Sequence, residues 1–256
     1  MDCEWLRSQL PGRRIEWHER IDSTMTEAAR LAAAGAPSGT VIGAEEQTAG
    51  QGRHGRSWHS EPGSGLYVSI ILRRQFTPTT LPVVTLALGL AVTEAILKAT
   101  DLACDLRWPN DVLIQSKKCA GILTRLEGSA IIAGIGMNVN HSRFPEELSA
   151  IATSLRIATS VGIASGRTHS RERLLLELLP AIDRYCALLE NDGRAPILEM
   201  FSRASSYVSG RRVCVDQDGF MLRGTTIGLA DSGFLLLRGD DGRDHQIVAG
   251  GVRPCS

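Results

Sequence analysis

The spacing of apolar residues changes along the chain, and each change marks an element. Arg14–Ile21 reads as a strand. Asp22-Ser23-Thr24 then offers helix caps, and Thr24 with Glu27 fits a capping box. An alanine-rich helix follows to about Ala34, closed by Gly35. Strands are predicted at Thr40–Glu46 and Leu66–Arg73, and a helix from about Thr80 to Ala99. That helix is apolar around most of its circumference, which predicts deep burial, and Pro82 is tolerated in its first turn. Leu106–Ile114 reads as short extended pieces bent at Pro109. Lys117–Leu123 leads into a strand at Leu123–Glu127, which Gly128 turns into Ala130–Asn140 as an antiparallel hairpin. His141–Ser170 is irregular or short-helical. Arg171–Glu190 is helical, with Leu174, Leu175, Leu178, Leu179, Ile182, Tyr185, Cys186 and Leu189 facing inward.

From about Ser209 the texture becomes that of a small all-β module. Short pieces (Arg212–Asp216, Met221–Leu229, Gly233–Arg238, Asp244–Val248) alternate with Asp-Gly-type turns. A boundary near Ser206–Gly210 divides the chain into units 1–208 and 209–256. No internal repeat or low-complexity segment is present.

Between the strands at 40–46 and 66–73 lies Gln47–Gly65, 19 residues without apolar period. A structureless loop of that length, anchored at both ends, points to function. Its glycines let backbone amides approach a ligand and form an anion-binding concavity. Arg53 and Arg56 add planar cationic donors, and Trp58 a flat face for a ring. An anionic ligand with an aromatic part, such as a nucleotide, fits this set; a solvated hairpin with incidental arginines fits equally well. Gly50, Gly52 and Gly55 satisfy G-x-G-x-x-G, but Ser60-Glu61-Pro62-Gly63-Ser64-Gly65 follows where a dinucleotide fold needs a helix.

Asn110 and Asp111 follow Pro109 between apolar segments, which would hold these polar groups near the core. The stem of Lys118, followed by Cys-Ala-Gly-Ile-Leu, should lie on buried surface with its ammonium at a cleft edge. Asn138 ends a strand in a simple turn or meets a polar ring edge.

Composition narrows the classes. Lys plus Arg and Asp plus Glu are 28 each, so net charge is zero, which argues against a dedicated nucleic-acid binder. Cys3, Cys104, Cys119, Cys186, Cys214 and Cys255 show no C-x-x-C or metal-ligand spacing, so reduced cysteines in a cytoplasmic protein are expected. The N-terminus is too polar for a signal peptide, and the apolar run Val83–Val92, broken by Thr85 and Gly89, is too short to span a bilayer.

Five stretches in order resemble the biotin protein ligases: Asp22-Ser23-Thr24; Gln47-Thr48-Ala49-Gly50-Gln51-Gly52-Arg53-His54-Gly55-Arg56-Ser57-Trp58; Trp108-Pro109-Asn110-Asp111; Lys118-Cys119-Ala120-Gly121-Ile122-Leu123; and Gly136-Met137-Asn138. The resemblance implies an α+β catalytic domain like that of class II aminoacyl-tRNA synthetases, with a mixed sheet and flanking helices. A small C-terminal Src-homology-type β-barrel should follow it. The Ser-Thr motif lies so near Met1 that the short form, without a DNA-binding helix-turn-helix domain, is expected. The implied reaction activates biotin with ATP, assisted by Mg2+, to biotinyl-5′-AMP and pyrophosphate. Biotin then passes to a lysine of a biotin carboxyl carrier protein. Biotin, ATP and the carrier are thus the implied partners; no DNA or membrane is expected, and a homodimer is compatible with the resemblance.

By the same resemblance Ser23, Thr24 and Gln47, with backbone groups of Gly50 and Gln51, would bind the ureido ring. Lys118 would meet the biotin carboxylate, and Gly121 would let the ligand pass close to the backbone. Arg53 and Arg56 would hold phosphates, with Trp58, Asn110 and Asn138 on the adenylate side. Asp111 is the candidate that orients and deprotonates the acceptor lysine. Arg107, Gln51, Met25 and Cys119 depart from the usual lysine, arginine, asparagine and leucine. Rival readings are a lipoate or octanoate ligase and a non-catalytic biotin-binding regulator.

Overall fold

The structure, a computed structural model, describes residues 1–160, 166–217 and 220–255. The elements run α1 (Cys3–Gln9), β1 (Ile15–Ile21), α2 (Thr24–Ala33), β2 (Val41–Gln47), β3 (Gly65–Leu72), α3 (Leu81–Thr100), β4 (Asp105–Arg107), β5 (Asp111–Ile114), β6 (Lys117–Glu127) and β7 (Ala130–Asn138). Short helices α4 (Glu146–Ser149) and α5 (Leu155–Ala158) precede α6 (Arg171–Asp192) and α7 (Arg194–Ala204). Then come β8 (Ser209–Gln217), β9 (Phe220–Leu229), β10 (Leu235–Gly239), β11 (Asp244–Ile247) and β12 (Val252–Pro254).

Strands β1 to β7 form one mixed sheet in the order β1-β2-β3-β7-β6-β5-β4. β1 and β2 are parallel, joined through α2; the other pairs are antiparallel. Alternation along β3 and β7 sends residues to opposite faces. Leu66, Val68, Ile70, Leu72, Ile131, Ala133, Ile135 and Met137 join one core with α3 and α6. Ile71, Ala130 and Ile132 meet Met25, Ala28 and Leu31 of α2 in a second cluster. On that second face the cross-strand rows are Ser69–Gly134–Leu123 and Tyr67–Gly136–Gly121. Side chains give way to glycine there, so backbone floors a depression at the end of α2.

The second sheet is antiparallel, in the order β11-β10-β9-β8-β12. It is tied to the first by Trp108, whose Nε1 donates to the Gly233 carbonyl at 2.9 Å.

Several expectations change. Ser23, not Thr24, caps α2: its side chain accepts from the Met25 amide, while Glu27 pairs with Arg30 instead of closing a capping box. The strand expected from Leu123 begins at Lys117, because Lys117–Ala120 already pair with β5. The segment Pro78–Thr100 is long and apolar enough to cross a bilayer, against the reading of its apolar run; α3 is instead the core helix, packed on α6 and β6. Cys214, within β8, and Cys255, just after β12, form a disulfide, so not all cysteines are reduced; Cys3, Cys104, Cys119 and Cys186 are free. Part of the irregular segment at 161–165, and the expected turn at 218–219, lie outside the described residues.

Candidate active site

The end of α2 and the end of β2 meet in one polar couple. The Thr24 amide and hydroxyl both donate to Gln47 Oε1, at 2.9 and 3.0 Å. Ser69 Oγ donates to Thr24 Oγ1 at 2.8 Å, and Gln47 Nε2 donates to Ser60 Oγ at 3.2 Å. Thr24 thereby fixes the rotamer of Gln47, and its hydroxyl keeps one acceptor lone pair. The Ser23 hydroxyl, which only accepts in its cap, retains its own proton for a partner, as Gln47 retains a second amide proton.

Across the floor Trp58 lies on the sheet. A Cβ on Gly136 would stand 2.4 Å from Trp58 Cε2, and one on Gly121 2.9 Å from Trp58 Cζ3 and from Lys118 Nζ. Only glycine leaves room for the indole at both strands. Met25 lies over Gly134 in the same way, its Sδ 2.4 Å from a hypothetical Cβ. Trp58 Nε1 is buried without a partner. Its backbone amide donates to the Gly50 carbonyl at 2.8 Å, and a Cβ at Gly50 would collide with the Trp58 carbonyl, so the loop closes tightly on itself. Lys118 Nζ sits 5.2 Å from the indole centre.

Two chambers meet at Trp58 and Lys118. One, a small cavity of about 50 Å³, is bordered by Thr24, Gln47, Gln51, Arg53, Asn110 and the sheet glycines. The other, of about 500 Å³, is bordered by Arg56, Asp111, Asn138, Phe144, Tyr207 and Arg253 among others, so it draws on both sheets.

Charge is concentrated at the junction. Asp111 accepts from Lys118 at 2.6 Å through Oδ1 and from Arg107 at 2.7 Å through Oδ2. Burial pushes the Asp111 carboxyl up, but Lys118 and Arg107 pull it down further, and the net is below the ordinary carboxylate value. Arg53 is pulled below the usual guanidinium value by burial, against the attraction of Asp111. Its Nη1 donates to Asn110 Oδ1 at 3.3 Å.

The structure gathers Thr24, Gln47, Gln51, Arg53, Trp58, Asn110, Lys118 and Gly121 around the first chamber, with Ser23 beside it as cap and Gly50 packed against Gln47 and the Trp58 carbonyl. Arg56, Asp111 and Asn138 lie at the second. Asn110 falls on the first side: its amide donates to the Ile122 carbonyl at 2.9 Å and its oxygen holds Arg53. Asn138 donates to the Thr153 carbonyl at 3.1 Å. Gly121 is covered by Trp58 and Lys118 rather than open. Gln51 donates to Thr26 Oγ1 at 3.1 Å, and Cys119 to the Val112 carbonyl. Ser60, Ser69, Gly134 and Gly136 were not foreseen; the signal for Ser69 was present, as the polar residue inside the apolar strand Leu66–Leu72.

The Biotin/lipoate A/B protein ligase family matches residues 17–142. The bifunctional ligase/repressor BirA of Bacillus subtilis is 34% identical over 248 residues, covering 93% of this chain and 73% of that protein. The chain belongs to the biotin protein ligase family. The biotin–[acetyl-CoA-carboxylase] ligase of Mycobacterium tuberculosis is 34% identical over 230 residues, 86% of this chain and 82% of that one. Among solved structures, the biotin protein ligase of Aquifex aeolicus in complex with biotin and ATP superimposes with a TM-score of 0.79 at 31% identity. That match covers 94% of this chain and 97% of the Aquifex chain. As a member of the biotin protein ligase family, the chain carries all five of the motif stretches described above, on a common mixed sheet or its loops.

Proposed function

We propose that this chain activates biotin with ATP and transfers it to a lysine of a biotin carboxyl carrier protein. The observation that carries this reading is the pair of chambers joined at Trp58 and Lys118. Once Trp58 moves off the sheet, the polar lining of the smaller suits a compact polar ring on an aliphatic arm; the larger suits a nucleotide.

In the first step a biotin carboxylate oxygen attacks the α-phosphorus of ATP. The bond to pyrophosphate breaks and biotinyl-5′-AMP remains. Ser23 Oγ–H and Gln47 Nε2–H donate to the ureido oxygen, with Thr24 holding Gln47 in place and backbone groups of Gly50 and Gln51 completing the pocket. Lys118 aligns the carboxylate. Arg53, steadied by Asn110, and Arg56 neutralise phosphate charge as pyrophosphate leaves. Such transfer rests on positioning and electrostatic stabilisation rather than on a protein nucleophile. Trp58 and Asn138 serve the adenine. Since the indole now covers Gly121, it shifts as the ligand threads between chambers.

In the second step the carrier lysine nitrogen attacks the acyl carbon. The C–N bond forms, the C–O bond to phosphate breaks, AMP departs and the nitrogen loses a proton. A free lysine has a pKa of about 10.4 and arrives charged. Asp111, at the mouth of the larger chamber, orients that ammonium and assists its deprotonation. Magnesium binds through one or two carboxylates plus substrate phosphates. Asp111, the carboxylate that lines these chambers among the described residues, is already engaged by Arg107 and Lys118. Among the described residues that line the chambers, no carboxylate is left free to hold magnesium, and no step here runs through that ion.

The unit boundary of this reading lies between residues 208 and 209, where the second sheet begins. The test of function is direct. The chain, biotin, ATP and an unmodified carrier domain should yield streptavidin-reactive carrier. Carrier that stays unmodified at full ATP and biotin concentrations would refute the reading.

A further inference from the structure

Behind the active-site loop, where Gln47–Gly65 returns to the sheet, stands a group of side chains that the ligation chemistry does not use. His59 and Glu61 belong to the loop, and His141 lies just after β7. A ligand atom of each lies within 4.8 Å of those of the other two.

His141 is fully buried, and its ring contacts are specific. Tyr67 Oη donates its single proton to the Glu61 carbonyl at 3.1 Å. At 3.2 Å from His141 Nε2 it must therefore accept, so Nε2 carries the imidazole proton. Nδ1 is then a bare lone pair, and it is buried without a partner. Phe144 stacks on one face of the ring at 5.1 Å between centroids, and the His59 ring lies 6.0 Å away. The Glu61 carboxylate meets no arginine or lysine among the described residues; its neighbour is His141, 4.0 Å from Oε2.

The Glu61 carboxylate approaches His141 from the Nε2 side, so a metal held by both would take Nε2 in place of its proton, which a neutral imidazole can carry on Nδ1 instead. Two imidazoles and a carboxylate match the donor set of zinc and its first-row neighbours, whereas magnesium and calcium prefer oxygen ligands. We propose that His59, Glu61 and His141 bind a divalent transition-metal ion of the zinc class, which clamps the C-terminal end of the active-site loop to β7. His59 also borders the larger chamber, so the site adjoins the space proposed for the nucleotide. A second group, Glu16, His18 and Glu27, is a weaker candidate: Arg14 and Arg30 already occupy its carboxylates.

The test uses the full chain after dialysis against a chelator, without biotin or ATP. Cobalt(II), added as a spectroscopic probe, should bind at one equivalent with visible ligand-field bands, and zinc should displace it. His59→Ala and, separately, Glu61→Gln should weaken binding at least about tenfold, the scale on which removal of metal-site groups acts. His18→Ala should leave it unchanged. A folded wild-type chain that binds no cobalt, or cobalt binding that survives both substitutions, would overturn the proposal. Because nothing here depends on turnover, failure of ligation and failure of metal binding are read separately.

Discussion

Lys118 Nζ stands 2.6 Å from Asp111 Oδ1, and Arg107 holds the other carboxylate oxygen at 2.7 Å. One half-buried acid thus couples the residue proposed to align biotin with the mouth through which the acceptor lysine would enter. This also gives the departure at Arg107 a role. A guanidinium reaches Asp111 with both Nε and Nη2, at 3.2 and 2.7 Å, which a lysine could not do.

Asp111→Asn should therefore slow transfer to the carrier more than it slows adenylate formation. Some loss in the first step is expected, since Lys118 loses its counter-charge. Single-turnover rates for each step, measured on one preparation, decide the matter. Equal losses would remove Asp111 from the second step.

The same carboxyl links stability to pH. Its folded pKa lies below the unfolded value of about 3.9, so its contribution is present above that pH and is lost as pH falls through the folded pKa. At neutral pH, Asp111→Asn leaves two cations without their partner and should cost roughly 3 kcal/mol. That difference from wild type should shrink as pH falls below about 4, where the wild-type carboxyl also protonates. Urea midpoints across that range test this, and a constant gap would contradict it.

Gly136→Ala should dislodge Trp58, because the new Cβ would fall 2.4 Å from Cε2. Its fluorescence, read against a Trp58→Phe control, should change, and biotin affinity should fall about tenfold, or about 1.4 kcal/mol. An unchanged spectrum would mean that the indole does not rest on that floor.

Biotin and ATP together should also reorder the Gln47–Gly65 loop, since the indole has to leave Gly121 for a ligand to pass. Limited proteolysis of the loop should differ with and without the two ligands. Identical cleavage would count against movement.

Cys214 and Cys255 are separated by 41 residues in sequence. By chain-entropy reasoning their bond stabilises the second sheet by at most about 4 kcal/mol. Cys255→Ser should lower the melting temperature of the oxidised protein and leave that of the reduced protein almost unchanged. Equal values under oxidising conditions would show that the link adds nothing.

The sheet elements and the long helices were legible because each carried its own period. α3 was continuous, and α6 buries Leu174, Leu175, Leu178, Leu179, Ile182, Cys186 and Leu189 of the expected inward face, with Tyr185 half-buried. What escaped was short or non-local. α1 spans 7 residues and β12 spans 3, too few to show periodicity. α7 follows directly on α6 across Gly193 and was not separated from the boundary region. The disulfide joins residues with no spacing signature. At the site, the loop motif pointed to Arg53, Arg56 and Trp58, but no sequence pattern shows that the indole lies on Gly121 and Gly136, since that depends on the register of β6 with β7. Thr24 borders the first chamber, and its hydroxyl also donates to Gln47 and accepts from Ser69, a coupling that no sequence pattern shows.

The most direct measurement is isotope exchange between pyrophosphate and ATP, with biotin, lipoate or octanoate as the sole acid. A pocket with unpaired donors at Ser23 and Gln47 rejects acids lacking the ureido group, because those donors would stay unsatisfied. Exchange supported by biotin, and not by the other two, is the predicted result. Exchange with lipoate or octanoate alone, or with none of the three despite bound biotin, would contradict it.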